Sequence, residues 1–314
     1  MSGREHGASR PRPQIWAIGG GKGGVGKSVI AVSLGVTLAG RGREVALVDA
    51  DLGGANLHTL LGVPDPPHTL SDFIARRIPD LREAMAETPQ DRLWLLSGSR
   101  ALLEMANPKY SQKAKLLRHV SALPVDVVIL DLGAGSAFNV LDFFISSDLG
   151  ILVVVPEATS VENAYHFLKA AFFRRLKRAT PRDVVRSALA EVMRDGNTDV
   201  PRSPRDLVAR VAGVDPEAGA ALRREATTFR PAVLANRIDG ETHVRLAEQV
   251  ANASRSYFGT DVLDLGPLPS DPLVPRSVQR RRPVVTAFPE SQFARAVRRL
   301  AQRLDPGDAH AASH

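Results

Sequence analysis

The chain contains no cysteine, which excludes disulfide bridges, thiolate metal sites and cysteine nucleophiles together. It also lacks any apolar run near the ~20 residues a helix needs to cross a bilayer. The longest such runs, Val125 to Leu132 and Leu149 to Pro156, are of strand length. The opening MSGREHGASRPRPQ has scattered charge and prolines but no apolar core of the secretory kind. Residues 1–14 are therefore expected to form a disordered lead-in, and the protein to be cytoplasmic. No internal repeat or low-complexity tract is present, and the polar stretch 306–314 reads as a disordered tail. Tyrosine is scarce, with three in all and none after Tyr257.

What remains is an ordinary globular composition, 44% apolar over 314 residues, enough for one large α/β domain expected at 15–305. Short β-type runs (15–18, 44–48, 93–96, 125–130) alternate with helical patterns (27–39, 139–146, 159–177). Later segments read as strands at 232–235 and 262–265 and helices at 241–257 and 290–304. This alternation predicts βαβ units in a doubly wound, mostly parallel sheet with helices on both faces. The runs Val127–Leu130 and Ile151–Val155 are apolar at every position, as central strands buried on both sides are. Residues 180–230 differ in character: Ser203-Pro204 and Asp215-Pro216 each set a capping residue before a proline, predicting an insertion of two or three short helices. Lys and Arg exceed Asp and Glu, 41 to 34, which favours attraction to anionic surfaces without choosing one.

Residues Gly21 to Ser28, GKGGVGKS, fit the pattern G-x-x-x-x-G-K-[ST] between an expected strand and an expected helix. Glycines let backbone N–H groups turn onto phosphate oxygens, and the helix amino terminus adds partial positive charge. Nucleotide contacts are expected from Gly21, Lys22, Gly23, Gly24, Val25, Gly26, Lys27, Ser28 and Val29. Lys27 is placed to reach the β- and γ-phosphates and Ser28 to ligate magnesium. One lysine suffices for that task, so Lys22 needs another explanation.

KGGVGKS resembles the deviant phosphate loop of the MinD/ParA family. The resemblance implies that Lys27 serves its own ATP while Lys22 crosses a dimer interface to the partner's, making ATP a dimerisation signal. VALVDADLGGANLHTLLG (45–62) is similar to that family's second strand and first switch, which implies Asp49 on the magnesium side and Asp51 orienting water. VDVVILDLGAG (125–135) supplies Asp131 as the second magnesium anchor, with Gly133 and Gly135 in a switch loop; Gly133 stands where many members carry proline. Both segments look most like the FlhG/FleN branch, although the first 14 residues hold no equivalent of that branch's partner-stimulating motif. PAVLANRIDG and LGPLPSD put Asn236, Arg237, Pro267 and Pro269 just beyond expected strands, and the same resemblance implies Asn236 at the adenine edge with Arg237, Pro267 and Pro269 framing the base.

Related iron carriers need cysteines and related tyrosine kinases a tyrosine-rich tail, so both are set aside. The resemblance implies a slowly hydrolysing, partner-stimulated, magnesium-dependent ATPase acting as a dimeric switch in spatial regulation of a pole, a flagellum or a related structure. The alternative is a ParA-type ATPase riding nonspecific DNA. The bound surface is thus left open between membrane, nucleoid and an activating protein. Phe293, Val297, Leu300 and Leu304 form an apolar stripe opposite arginines, expected to pack a last helix on the sheet rather than lie on lipid. FLKAAFFRRLKR (167–178) is read chiefly as a helix with a solvated basic face, with DNA contact as its alternative.

Overall fold

The computed structural model describes residues 11–51, 54, 56–64, 66–98, 110–179, 185, 187, 204–240, 244–259, 261–305 and 307. Strand β1 (Gln14–Gly19) leads through the glycine loop into α1 (Lys27–Gly40) and back to β2 (Val45–Asp49). Short helices α2 (Leu57–Leu61) and α3 (Leu70–Ile74) precede β3 (Ala86–Glu87) and β4 (Leu93–Leu96). The centre follows as α4 (Tyr110–Val120), β5 (Val127–Asp131), α5 (Phe138–Ser146), β6 (Leu149–Val154) and α6 (Ala158–Ala179). The remainder is α7 (Pro204–Val214), α8 (Pro216–Thr228), β7 (Ala232–Ile238), α9 (Leu246–Phe258), β8 (Leu263–Pro269), α10 (Leu273–Gln279), α11 (Val284–Ala287) and α12 (Gln292–Leu304).

The eight strands among the described residues join one sheet in the order β3-β4-β2-β5-β1-β6-β7-β8. Every neighbouring pair is parallel except β3 with β4. Side chains alternate between faces with period two, so an all-apolar strand feeds two cores at once. In β5, Val128 and Leu130 join one core and Val127 and Ile129 the other. Chain order reverses at β1 and β5, the crevice where open α/β sheets bind ligands.

Helix α12 buries Phe293, Val297 and Leu300 against the core that also holds α1, with Leu304 partly buried beside them, so the expected packing holds. Ser291 caps this helix, accepting from the Ala294 amide at 3.0 Å. Asp215 caps α8 likewise, accepting from Ala218 N at 2.9 Å, with Pro216 following. The insertion thus contains two helices among the described residues, and it is no loose flap: Leu207, Val211 and Leu222 share a core with Phe172 and Phe229. The part of the insertion between 180 and 203, apart from 185 and 187, lies outside the described residues, as do 1–10, 306 and 308–314.

Four of the differences in boundary from expectation bear on the site and its surroundings. Gln14 opens β1, and Arg12 forks onto Asp148 at 2.7 and 3.1 Å, so the lead-in is anchored before residue 14. The helix expected from 241 is α9, described from Leu246. Strand β7 runs through Asn236 and Arg237 to Ile238, and β8 runs through Pro267 to Pro269. These site residues therefore sit on strands rather than beyond them. β8 tolerates its prolines because it is an edge strand with shifted register.

Among the described residues of α6, the basic face is largely committed to acids. Arg174 reaches Asp142 at 2.6 and 2.8 Å, and Arg175 reaches Glu225 at 2.9 Å. Asp142 is buried and also accepts from the buried Lys113 at 2.5 Å, tying α4, α5 and α6 together. Burial raises the Asp142 carboxyl, but the hydrogen bonds from Arg174 and Lys113 outweigh it and leave the pKa below its ordinary value. A depressed carboxyl contributes stability that is complete above the unfolded value near ~3.9 and is lost as pH falls through the folded one. Replacing Asp142 by alanine strands Lys113 without its acid and is expected to cost roughly 3–5 kcal/mol in urea unfolding at neutral pH. The gap to the parent protein should narrow in acid.

Candidate functional site

The loop between β1 and α1 has the conformation its glycines permit. Gly24 and Gly26 take φ of 77° and 98°, the left-handed region that a side chain disfavours. Gly21 is glycine for space: a Cβ there would lie 2.4 Å from the backbone of Asn163 on α6. No side chain caps α1 at Gly26, so its first-turn amides are open to an anion.

The sheet register then sets two carboxylates side by side. Asp49 ends β2, Asp131 ends β5, and the two are direct partners in the ladder, with Asp131 paired on its other side to Ile18 of β1. Both are buried, at 1% and 3% exposure. Asp49 Oδ2 accepts from the Asn56 and Leu57 amides at 2.8 and 3.0 Å. Oδ1 of each acid is buried with no hydrogen-bond partner among the described residues.

The titration behaviour follows from that placement. Burial pushes Asp49 up to about 6 against the pull of the Leu57 and Asn56 amides. Asp131 is pushed up to about 7, by burial first and by repulsion from Asp49 second, while a hydrogen bond from Ser28 and the charge of Lys27 act the other way. Lys27 is itself buried, which lowers its pKa, and Asp131 and Asp51 oppose that shift. Two half-satisfied carboxylates beside a hydroxyl form an unbalanced negative site that a hard divalent cation would complete. Among the described residues no three His, Cys, Asp or Glu side chains could hold a metal by themselves. The donor set of Ser28, Asp49 and Asp131 therefore fits magnesium sharing its shell with phosphate oxygens and water.

Asp51 stands between the loops after β2 and β5. A Cβ on Gly133 would approach its Oδ1 to 3.2 Å, and one on Gly54 its Oδ2 to 3.3 Å. Gly135 takes φ 80° and donates its amide to Gly20 O at 3.1 Å, so the loop after β5 is tied to the phosphate loop. Gly23 lies near the same loop, since a Cβ added there would come 3.9 Å from Ala134.

Lys22 is held within its own chain. Its Nζ pairs with the Glu157 carboxylate and lies 3.4 Å from Thr159 Oγ1, both just beyond β6. Glu157 was not foreseen; its only signal in the sequence is an acid directly after an apolar run, PE at 156–157. Asn236 is 5% exposed, and its Nδ2 donates to Val25 O at 2.8 Å. The amide expected to read a base is thus engaged in bracing the phosphate loop. Arg237 is exposed at φ 57°, its charge felt by Glu157. Pro267 and Pro269 do come together, lining a cavity of about 480 Å³ with Ile238, Gly240, Val244, Gln292, Arg295 and Arg299. Val25 is buried in the core, while Ser28 and Val29 stand in the first turn of α1.

A brace and a base reader respond differently to one substitution. Asn236→Ala removes a buried hydrogen bond of about 1–3 kcal/mol, so nucleotide affinity should fall by roughly 5- to 150-fold. Bracing predicts equal losses for ATP, GTP and tripolyphosphate in fluorescence competition. A loss confined to ATP would instead assign Asn236 to the base.

The CobQ/CobB/MinD/ParA nucleotide binding domain matches residues 16–284. The chain is 29% identical over 295 residues to the antiactivator FleN of Pseudomonas aeruginosa, spanning 93% of this chain and 86% of that protein. It is 28% identical over 162 residues to the flagellum site-determining protein YlxH of Helicobacter pylori, spanning 49% of this chain and 52% of that one. The fold is similar to the septum site-determining protein MinD of Pyrococcus horikoshii, solved with Mg-ADP, at a TM-score of 0.63 and 23% identity over 94% of this chain and 96% of that one. With its phosphate loop, paired strand-end acids and sheet order in place, the chain belongs to the CobQ/CobB/MinD/ParA nucleotide-binding family.

Proposed function

We propose that the protein is an ATP-driven dimeric switch that hydrolyses ATP slowly and serves in the spatial regulation of a cellular structure. The observation that carries the reading is the pair Asp49 and Asp131, each with a bare buried oxygen beside Lys27 and Ser28 at the mouth of the phosphate loop. Bound magnesium would supply charge neutralisation at the phosphates, held by Ser28, Asp49 and Asp131. Lys27 and the loop amides stabilise the transferring phosphoryl group. Asp51, between the loops after β2 and β5, orients the attacking water and accepts its proton.

Lys22 is the dimer contact in this reading. Its present partner Glu157 is exposed on the surface, and a water-screened pair of that kind is weak. The phosphates of a second subunit's ATP carry more charge and would displace it. ATP would thereby exchange an internal ion pair for one between subunits.

The names of two relatives, an antiactivator and a flagellum site-determining protein, favour flagellar placement or number as the setting and a regulatory protein as the partner. Turnover stays low until that partner engages. Nonspecific DNA is the weaker candidate surface, because the basic face of α6 that supported it is paired with Asp142 and Glu225.

Two variants separate the roles. Asp51→Ala should bind ATP, lose turnover by about 100-fold or more, and run at dimer mass with ATP but monomer mass with ADP in light scattering. Lys22→Ala should keep nucleotide binding yet stay monomeric. A Lys22→Ala protein that dimerises with ATP like its parent would sink the reading.

A further inference from the structure

A second cavity, of about 660 Å³, lies at the carboxyl end of α1, away from the phosphate loop that caps its amino end. Four arginines line it: Arg41 just after α1, and Arg295, Arg298 and Arg299 of α12, with Gln90 and Thr286 among the neutral donors. Among the described residues, its lining holds no acidic one. Arg41 pairs outside the lining with Asp305 at 2.8 Å, and Arg298 lies 3.8 Å from Glu290 and donates to Pro289 O. Arg295 and Arg299 have no side-chain hydrogen bond or ion pair among the described residues.

Arg295 and Arg299 are exposed, so their like charge is a mild cost that a bound anion would relieve. Arg295, Arg298 and Arg299 stand at i, i+3 and i+4 on one helix, where like charges repel. The end of α1 cannot relieve them with an acid side chain, because none faces the cavity. Arg303 of the same helix lies outside it and is used structurally, 3.3 Å from the Leu265 and Asp264 carbonyls. Guanidinium groups are planar forks that match phosphate oxygens two at a time. A cleft of this volume is in the usual range for a small-molecule ligand.

We propose that this cavity is a second anion site, separate from the phosphate loop though sharing Arg295 and Arg299 with the cavity at Pro267 and Pro269, that takes a multiply phosphorylated small molecule or headgroup. The site does not depend on the ATP-switch reading. Helix α1 has 14 residues, so roughly 21 Å separate the two sites along one rigid element. Any coupling along α1 between an anion bridging α1 to α12 and the occupant of the phosphate loop must be reciprocal.

The test uses the full chain saturated with ADP and magnesium, so that the phosphate loop is filled, and tripolyphosphate as the probe in calorimetry at constant ionic strength. Parent protein should bind one further tripolyphosphate. Arg295→Ala/Arg299→Ala should weaken it by about tenfold or more while ADP affinity, measured first, stays at the parent value, since charge-assisted contacts are among the strong ones. A loss of ADP binding instead would overturn the proposal by assigning the two arginines to the nucleotide cavity they also line. Arg295→Lys/Arg299→Lys should recover only part of the loss, because lysine keeps the charge without the fork; it also stands in if the alanine variant fails to fold. A parallel arm uses phosphatidylcholine vesicles with and without a phosphorylated inositol lipid. Tripolyphosphate binding that the alanine variant loses supports a soluble ligand, and vesicle binding lost in the same way supports a headgroup. Absence of both in the parent, or equal binding by parent and alanine variant, overturns the proposal.

Discussion

The register between β2 and β5 is the constraint on which the site depends. It forces Asp49 and Asp131 together at adjacent strand ends, buried, each with one oxygen lacking a protein donor. Fully charged and alone, that pair would be among the most costly features of the chain. Lys27 and Ser28 offset it partially, and the remainder is the demand for a cation and its phosphates. Stability is given up locally where binding is to be gained.

Around that pair the other elements act as fixed supports. The phosphate loop cannot shift toward α6, since Gly21 already touches Asn163. It is held from the opposite end of the chain by Asn236 through Val25, and the loop after β5 is tied to it through Gly135 and Gly20. β1, β2, β5, β6 and β7 thus each send a residue or loop to one crevice. In the proposed switch, Asp51, Gly133 and Lys22 are the residues that would sense a change in the phosphates. That convergence suits a switch better than a simple store of nucleotide.

Features written in neighbouring residues were legible from sequence. The phosphate loop, the strand-end acids and the apolar stripe of the last helix each carry their signal within a single element, and Phe293, Val297 and Leu300 are buried as their spacing required. Features that depend on remote pairing were not. The brace from Asn236 to Val25 joins positions 211 apart, and nothing near Asn236 announces it. Arg174 and Arg175 looked like a free basic face because their acids, Asp142 and Glu225, lie 32 and 50 residues away. The five-residue helices α2 and α3 are too short for periodicity to declare them. Pro267 hid the continuation of β8, since proline argues against a strand unless the strand is known to be an edge.

The same sheet order separates two chemistries. The carboxyl ends of the strands gather acids and a phosphate loop, whereas the far end of α1 gathers arginines against α12. The two lie at opposite ends of one helix. The magnesium dependence of nucleotide binding tests the centre of this scheme most directly. ATP affinity, measured by calorimetry with magnesium and again with EDTA, should fall sharply in EDTA, and replacing Asp131 with asparagine should erase most of that difference. Equal affinity in magnesium and EDTA would contradict the assignment of Asp49 and Asp131 as a cation site.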